Sequence, residues 1–237
     1  MEQITLNREF IAFIKSLLKI NDSAILIAGE DSLSCLIGTP DNVAIAYGVF
    51  PCTNTYKGFL NISSIIKLTK ALDQIEGDSI TLNVNSNNIE YKSPSLRFKY
   101  HLLDNGIISQ PKINLKKIAE FEFDVSFNLD TAKLVGLNKF SAFCTDSNKV
   151  YLEGKDGKVF AELTDKSKSN IDSLQFEFTD SESTFAQIPL NLDFFRSLSY
   201  NNTSMVTFNI NTTRGIVAID IATSSYKLKY ITSAFTS

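Results

Sequence analysis

The sequence predicts an α+β protein made of two similar units in tandem, each with antiparallel strands, and three observations carry that expectation. Two stretches 130 residues apart share an order of events, with Leu60 and Tyr100 in the first answering to Leu190 and Tyr230 in the second. Runs with an apolar residue at every other position alternate with stretches of helical spacing. The 237 residues, 43% of them hydrophobic, supply two modest cores, which sets aside a disordered chain.

In the first half, Leu6-Asn7 opens a helix expected to run to about Ile20, with Phe10, Phe13, Ile14 and Leu17 on one side. A second helical pattern, Ile62, Ile65, Ile66 and Leu72, follows Leu60-Asn61-Ile62. Strand alternation then runs through Ile80-Thr81-Leu82-Asn83-Val84-Asn85, turns at Asn87-Asn88, and returns in Leu96-Arg97-Phe98-Lys99-Tyr100. In the second half Phe121, Phe123 and Val125 alternate, and Phe127-Asn128 opens a helix to about Phe140. Strands at Val150 and Leu152 and at Val159, Ala161 and Leu163 flank the turn Asp156-Gly157. Leu190-Asn191-Leu192 leads into Phe194, Phe195 and Leu198 at helical spacing. Strands at Val206, Phe208 and Ile210 and at Tyr226, Leu228 and Tyr230 close the chain around Arg214-Gly215. Asn7 and Asn128 are suited to cap the first helix of each half. Each half thus reads helix, strands, helix, strands. Asp104 to Ala119, with Gly106 and Pro111 and no clean period, reads as a connector. The units are therefore placed at 1–104 and 120–237, joined by 105–119.

Several classes are excluded. No run approaches the ~20 apolar residues of a membrane-spanning helix, and Met1 to Arg8 has no basic segment followed by an apolar one. Cys35, Cys52 and Cys144 are odd in number and widely spaced, which suits a reducing cytoplasm and neither a disulfide framework nor a zinc site. The sequons at Asn21, Asn61, Asn201, Asn202 and Asn211 carry meaning only in a secreted protein. There is no G-x-x-x-x-G-K-[ST] loop, no G-x-S-x-G and no H-E-x-x-H. His101 is the single histidine, and nothing local marks it or Cys144 as reactive. The expectation is a soluble protein that is not an enzyme, with no cofactor and no metal.

Net charge is −3, which argues against a general basic coat for nucleic acid. Its distribution is uneven. Taken as 7–20, 61–73, 129–140 and 191–199, the helices hold eight basic residues, Arg8, Lys15, Lys19, Lys67, Lys70, Lys133, Lys139 and Arg196. Against them stand four acids, Glu9, Asp73, Asp130 and Asp193, so the helices sum to +4 and the remainder to −7. Arg8, Lys15 and Lys19 lie opposite the apolar side of the first helix, and Lys67 and Lys70 oppose Ile65, Leu68 and Leu72. Arg196 lies away from Phe194 and Leu198, while Lys133 in the untidy third helix projects near Leu129 and Phe140. The Lys112, Lys116 and Lys117 cluster reads as a solvated connector. A basic strip on an acidic body points to a polyanion held at one surface and repelled elsewhere.

These features resemble the DNA polymerase sliding clamps, most of all those of large tailed bacteriophages and more distantly the eukaryotic proliferating cell nuclear antigen. The segment LNREFIAFIKSLLKINDSAILI, from Leu6 to Ile27, is similar to the opening of the phage clamps, as is Gly58-Phe59-Leu60 before the second helix. Leu228-Lys229-Tyr230 resembles the eukaryotic pattern. The resemblance implies two processivity-fold domains with antiparallel sheets outside and helices lining a ring. A two-domain chain would close that ring as a homotrimer around double-stranded DNA, without reading its sequence. The eight basic residues would face the DNA. Leu96, Phe98 and Tyr100 of one subunit would meet Val159, Ala161 and Leu163 of the next. Pro40, Val43, Ile108, Pro111, Ile113, Ala234 and Phe235 would form an apolar pocket for peptides of a DNA polymerase and of a separate ATP-dependent clamp loader. The setting implied is the cytoplasm of an infected bacterial host, with no membrane partner. The competing class is a ring-forming, β-rich structural virion protein, which would not need basic helices.

Overall fold

Residues 2–41, 43–113, 122–199 and 205–235 are described by the structure, a computed structural model. The chain divides into two compact units, Met1–Lys112 with Thr223–Leu228 and Ile113–Ala222 with Lys229–Ser237.

The first unit opens on a strand, β1 (Glu2–Asn7), where the sequence suggested that a helix starts at Leu6. Ile4 and Leu6, two residues apart, are both buried and pair with Leu82 and Ile80. Helix α1 (Glu9–Leu17) follows, with Phe10, Ile11, Phe13, Ile14 and Leu17 buried. Asn7 does serve its start, its Oδ1 accepting from Glu9 N–H at 3.0 Å. Strands β2 (Ala24–Ala28), β3 (Ser32–Gly38), β4 (Ile45–Pro51), β5 (Thr53–Asn54) and β6 (Gly58–Ile62) lead to helix α2 (Ile65–Leu72). Strands β7 (Ser79–Asn85), β8 (Asn88–Lys92) and β9 (Arg97–His101) complete the unit. They form one antiparallel sheet in the order β5-β1-β7-β8-β9 and a second in the order β4-β3-β2-β6. Phe10 and Phe13 meet Phe50 with ring centroids 5.2 and 5.6 Å apart, so α1 is held by its aromatic side. The first turn of α2 is satisfied by two acceptors. Ser64 Oγ accepts from Lys67 N–H at 3.2 Å and Asp22 Oδ1 from Ile66 N–H at 2.9 Å, an arrangement that also places a negative charge at the positive helix end.

The second unit begins with β10 (Val125–Asp130), again a strand where a helix start was expected at Phe127-Asn128. Phe127 and Leu129 pair with Phe208 and Val206, and Asn128 accepts from Thr207 instead of capping. The cap of helix α3 (Thr131–Phe140) is Asp130, whose Oδ1 accepts from Ala132 N–H at 2.7 Å. Phe121 lies outside the described residues. Then come β11 (Lys149–Lys155), β12 (Lys158–Leu163), β13 (Leu174–Asp180), β14 (Phe185–Asn191), helix α4 (Leu192–Ser197), β15 (Met205–Asn211), β16 (Ile216–Ala222) and β17 (Lys227–Ser233). The turn between β11 and β12 is Asp156-Gly157, at φ 54° and 76°, the pair of positive angles that a two-residue hairpin needs. Strand order is β13-β12-β11-β14 in one sheet, and β10-β15-β16 continuing to β17 in the other. This repeats the first unit's β4-β3-β2-β6 and β1-β7-β8-β9, so the 130-residue echo is a repeat of topology. Phe208, wholly buried, centres this core, with Phe127, Phe178 and Phe195 at 5.2, 6.0 and 6.3 Å.

Candidate functional site

All eight basic side chains singled out on the helices are exposed. Burial of the apolar stripes explains this: α1 and α2 pack side by side in the first unit, α3 and α4 in the second, and the charges keep the outer faces. Their surroundings divide them. Arg8 donates to the carbonyls of Ile75 and Gly77 and so closes the loop after α2. Lys15 Nζ is 2.8 Å from Asp73 Oδ2, at the end of α2. Arg196 pairs with Asp193 at 2.7 Å and reaches Ser141 Oγ at 3.3 Å, beyond the end of α3. Lys133 donates to the Glu177 carbonyl at 3.3 Å, which turns it toward β13. Lys67, Lys70 and Lys139 have no ion pair among the described residues, and Lys19 is exposed near the end of the α1 segment. Among the helix cations of the first unit, Lys67 and Lys70 on α2 have neither an ion pair nor a side-chain hydrogen bond among the described residues.

Of the residues expected to form a docking pocket, the structure brings Pro40 and Pro111 together. They line a cavity of about 400 Å³ in the first unit with Asn21, Thr39, Gln110 and Lys112. Pro111 lies over Gly38, where a Cβ would stand 2.9 Å from its Cγ, so the connector closes on bare backbone. The lining is mostly polar, which corrects the expectation of an apolar pocket. Val43 is not part of it, its N–H donating to Asp41 Oδ1 at 3.1 Å, and neither is the half-buried Ile108. Ile113 packs against Ala218 and Ile231 in the second unit. In that unit Ala234 N–H donates to Gly215 O at 2.6 Å and Phe235 N–H to Pro189 O at 2.9 Å, so the tail is tied to β14.

The expected subunit contacts need a larger correction. Val159, Ala161 and Leu163 are wholly buried, and β12 is flanked by β11 and β13, so it offers no open ladder. Tyr100 also faces inward, its hydroxyl accepting from Ser64 N–H at 2.8 Å. Leu96 and Phe98 remain half-exposed. Strand β13 ends its sheet and β9 ends its own, the other sheet ends being β5, β6, β10 and β14. Strand β6 is covered: Tyr56 OH donates to Phe59 O at 3.0 Å and Leu103 N–H to Asn61 O at 3.0 Å. Thr179 Oγ1 covers the Asn128 carbonyl of β10 at 3.0 Å. Strand β9 exposes Arg97, Lys99 and His101, whereas β13 exposes Gln175, Glu177 and Asp180. Apolar side chains flank β13, with the Phe140 ring, 43% exposed, 4.9 Å from Phe176.

Electrostatics elsewhere serve the fold. Burial pushes the Cys35 thiol up to about 12, so it stays protonated. Asp165 is held at about 2, against an ordinary 3.8, first by Lys149 Nζ at 2.7 Å and then by Ser167. A carboxyl depressed in the folded state stabilises it above the unfolded value and loses that effect as pH falls through the folded one. Stability by urea titration should therefore drop between about pH 4 and pH 2, and less steeply in Asp165→Asn. Identical acid limbs would show that the pair contributes nothing.

No protein-family profile matches the chain, and no curated protein does. Solved structures match over its whole length, and they define the class: the chain has the fold of the sliding clamps, mostly antiparallel sheets with few helices. Similar structures include proliferating cellular nuclear antigen from Entamoeba histolytica, at TM-score 0.76 and 14% identity over 99% of both chains. The A. fulgidus antigen, solved with the C-terminal region of FEN-1, matches at TM-score 0.74 and 16% identity over 100% of this chain and 99% of that one. The PCNA2–PCNA3 complex of Sulfolobus tokodaii matches at 0.70 and 13%, covering 98% of each chain.

Proposed function

We propose that the protein is a sliding clamp, a scaffold that closes as a homotrimeric ring around double-stranded DNA and holds a DNA polymerase at the primer end. The observation that carries this reading is the pair of sheet-ending strands β9, with exposed Arg97 and Lys99, and β13, with exposed Glu177 and Asp180, in a chain of clamp fold. An unpaired edge is a template for another strand, and an edge pairing with a different edge makes a head-to-tail contact that closes only as a ring. Three copies give six topologically equivalent units. The outward lysines Lys19, Lys67, Lys70 and Lys139 would then face phosphates loosely, giving salt-sensitive attraction without base recognition. Tethering needs no catalytic group, because a closed ring leaves DNA only by opening or by reaching an end. Opening is assigned to a separate ATP-dependent clamp loader. The likeness to phage clamps rests on the sequence segments alone.

The test is polymerase extension on primed circular DNA with the cognate polymerase, loader and ATP. Long products are expected only when all are present, and the ring should be lost from the same DNA once it is linearised. Product lengths indifferent to the protein would overturn the reading.

A further inference from the structure

Asn105-Gly106 is the one Asn-Gly step in the chain. It forms the middle of a turn in which Ile107 N–H donates to Asp104 O at 3.4 Å and Gly106 takes φ 87°, an angle glycine adopts without strain. Both residues are exposed, and a Cβ on Gly106 would meet nothing within 4 Å. Among the described residues the Gly106 N–H donates to no group. The Asn105 side chain, by contrast, is held. Asn61, 5% exposed on β6, donates from Nδ2 to Asn105 Oδ1 at 2.9 Å and to Leu103 O at 3.0 Å. A part-buried hydrogen bond to that oxygen polarises the carboxamide more than water would. An activated carbonyl carbon therefore stands next in sequence to an unhindered, uncommitted backbone nitrogen.

We propose that Asn105 is a modification site, converted by the chain itself through a succinimide to aspartate and isoaspartate. The Gly106 nitrogen gives up its proton to solvent and attacks Asn105 Cγ. Negative charge develops on Oδ1, the atom that Asn61 Nδ2 already holds, so Asn61 serves as an oxyanion donor. The Cγ–Nδ2 bond breaks, and the amide nitrogen takes up a proton and leaves as ammonia. Water then opens the ring. Attack at Cγ gives aspartate, and attack at the main-chain carbonyl gives isoaspartate, whose chain runs through Cβ and Cγ. One water is consumed and one ammonium released, with no oxidation or reduction. Both products place a new carboxylate beside Asp104, in the wall of a cavity of about 270 Å³ shared with Tyr56, Asn61, Asn87 and Leu103. Isoaspartate also adds a methylene to the backbone, which breaks the register of the Asp104–Ile107 turn. The inference holds whether or not the chain acts as a clamp.

The test ages the full chain in mildly alkaline buffer, digests it with trypsin and follows the peptide Tyr100–Lys112, which holds a single asparagine, by mass spectrometry. Isoaspartate is counted by methyl transfer with an isoaspartyl methyltransferase. This peptide is expected to convert ahead of every other asparagine-containing peptide, into two isomeric products. Asn105→Gln, whose longer side chain cannot close the same ring, should lose the conversion. Asn61→Ala should slow it several-fold in the folded chain and leave it unchanged in urea, which separates the hydrogen bond from a general effect of substitution. Should that variant fail to fold, the unsubstituted chain with and without urea decides alone. Conversion in urea but not in the folded chain, or conversion no faster than in the other peptides, would overturn the proposal. Equal folded-state rates with and without the Asn61 amide would remove Asn61 from it.

Discussion

Replacing Arg97 and Lys99 with glutamate is expected to turn the proposed homotrimer into single chains, read as a threefold fall in mass by light scattering at micromolar concentration. Both side chains are exposed on β9, at the open end of its sheet. The proposed partner edge, β13, exposes Asp180 and Glu177, the latter already paired with Lys158. Opposite charges across a strand pair contribute about 0.2–1 kcal/mol each, and like charges there are destabilising. Two reversed pairs at every joint of a ring therefore act three times over. The internal cost is small, because Lys99 pairs with Glu90 at 3.6 Å on the surface, where an ion pair is worth about 0–1 kcal/mol. Adding Glu177→Lys and Asp180→Lys to the same chain should restore the assembly. A trimer that survives the first pair of changes would remove β9 from the interface.

The second large effect is expected on DNA. Substituting Lys67, Lys70 and Lys139 with alanine should sharply shorten retention on circular DNA while leaving the oligomer intact. The logarithm of affinity should fall less steeply with salt, by about 0.9 per phosphate contact removed. Lys15→Ala should do much less, since that ammonium is already held by Asp73 at 2.8 Å. Asp73→Asn runs the other way: it frees Lys15 and is expected to tighten retention. A tightened Asp73→Asn protein would be hard to explain by loss of folding, so it guards the prediction against simple destabilisation. Equal losses from Lys15→Ala and Lys67→Ala would contradict the division of the helix charges drawn from their partners.

Local periodicity was enough to read much of the architecture. Alternation in Ile80–Asn85 and Val206–Asn211, the helical stripes of α1 and α2, and the Asp156-Gly157 turn are written in neighbouring residues, because pleat, helix pitch and turn angles are local properties. The 130-residue echo likewise survives as a repeated topology. The strands before each first helix stand where the sequence suggests helix openings. Ile4 and Leu6 supply only two inward positions, too few to separate period two from a helix start, whereas Val125, Phe127 and Leu129 supply three and carry the alternation up to the helix.

Strand order lay out of reach of such reasoning. Whether β12 or β13 ends its sheet depends on pairings between residues far apart in the chain, and so three of the six side chains expected at the interface, Val159, Ala161 and Leu163, are wholly buried. The partners of the basic residues are equally distant: Lys15 and Asp73 are 58 positions apart, and only folding brings that ammonium and carboxylate together. The polar wall beside Pro111 and the contact between Asn61 and Asn105 arise the same way, from chain crossing chain. Sequence alone established the mix of helices and antiparallel strands, its repetition and the excess of positive charge on helices, since each follows from residues near one another. Which edge stays bare and which lysine stays unneutralised followed from the fold, because free valence is a property of everything packed around a group.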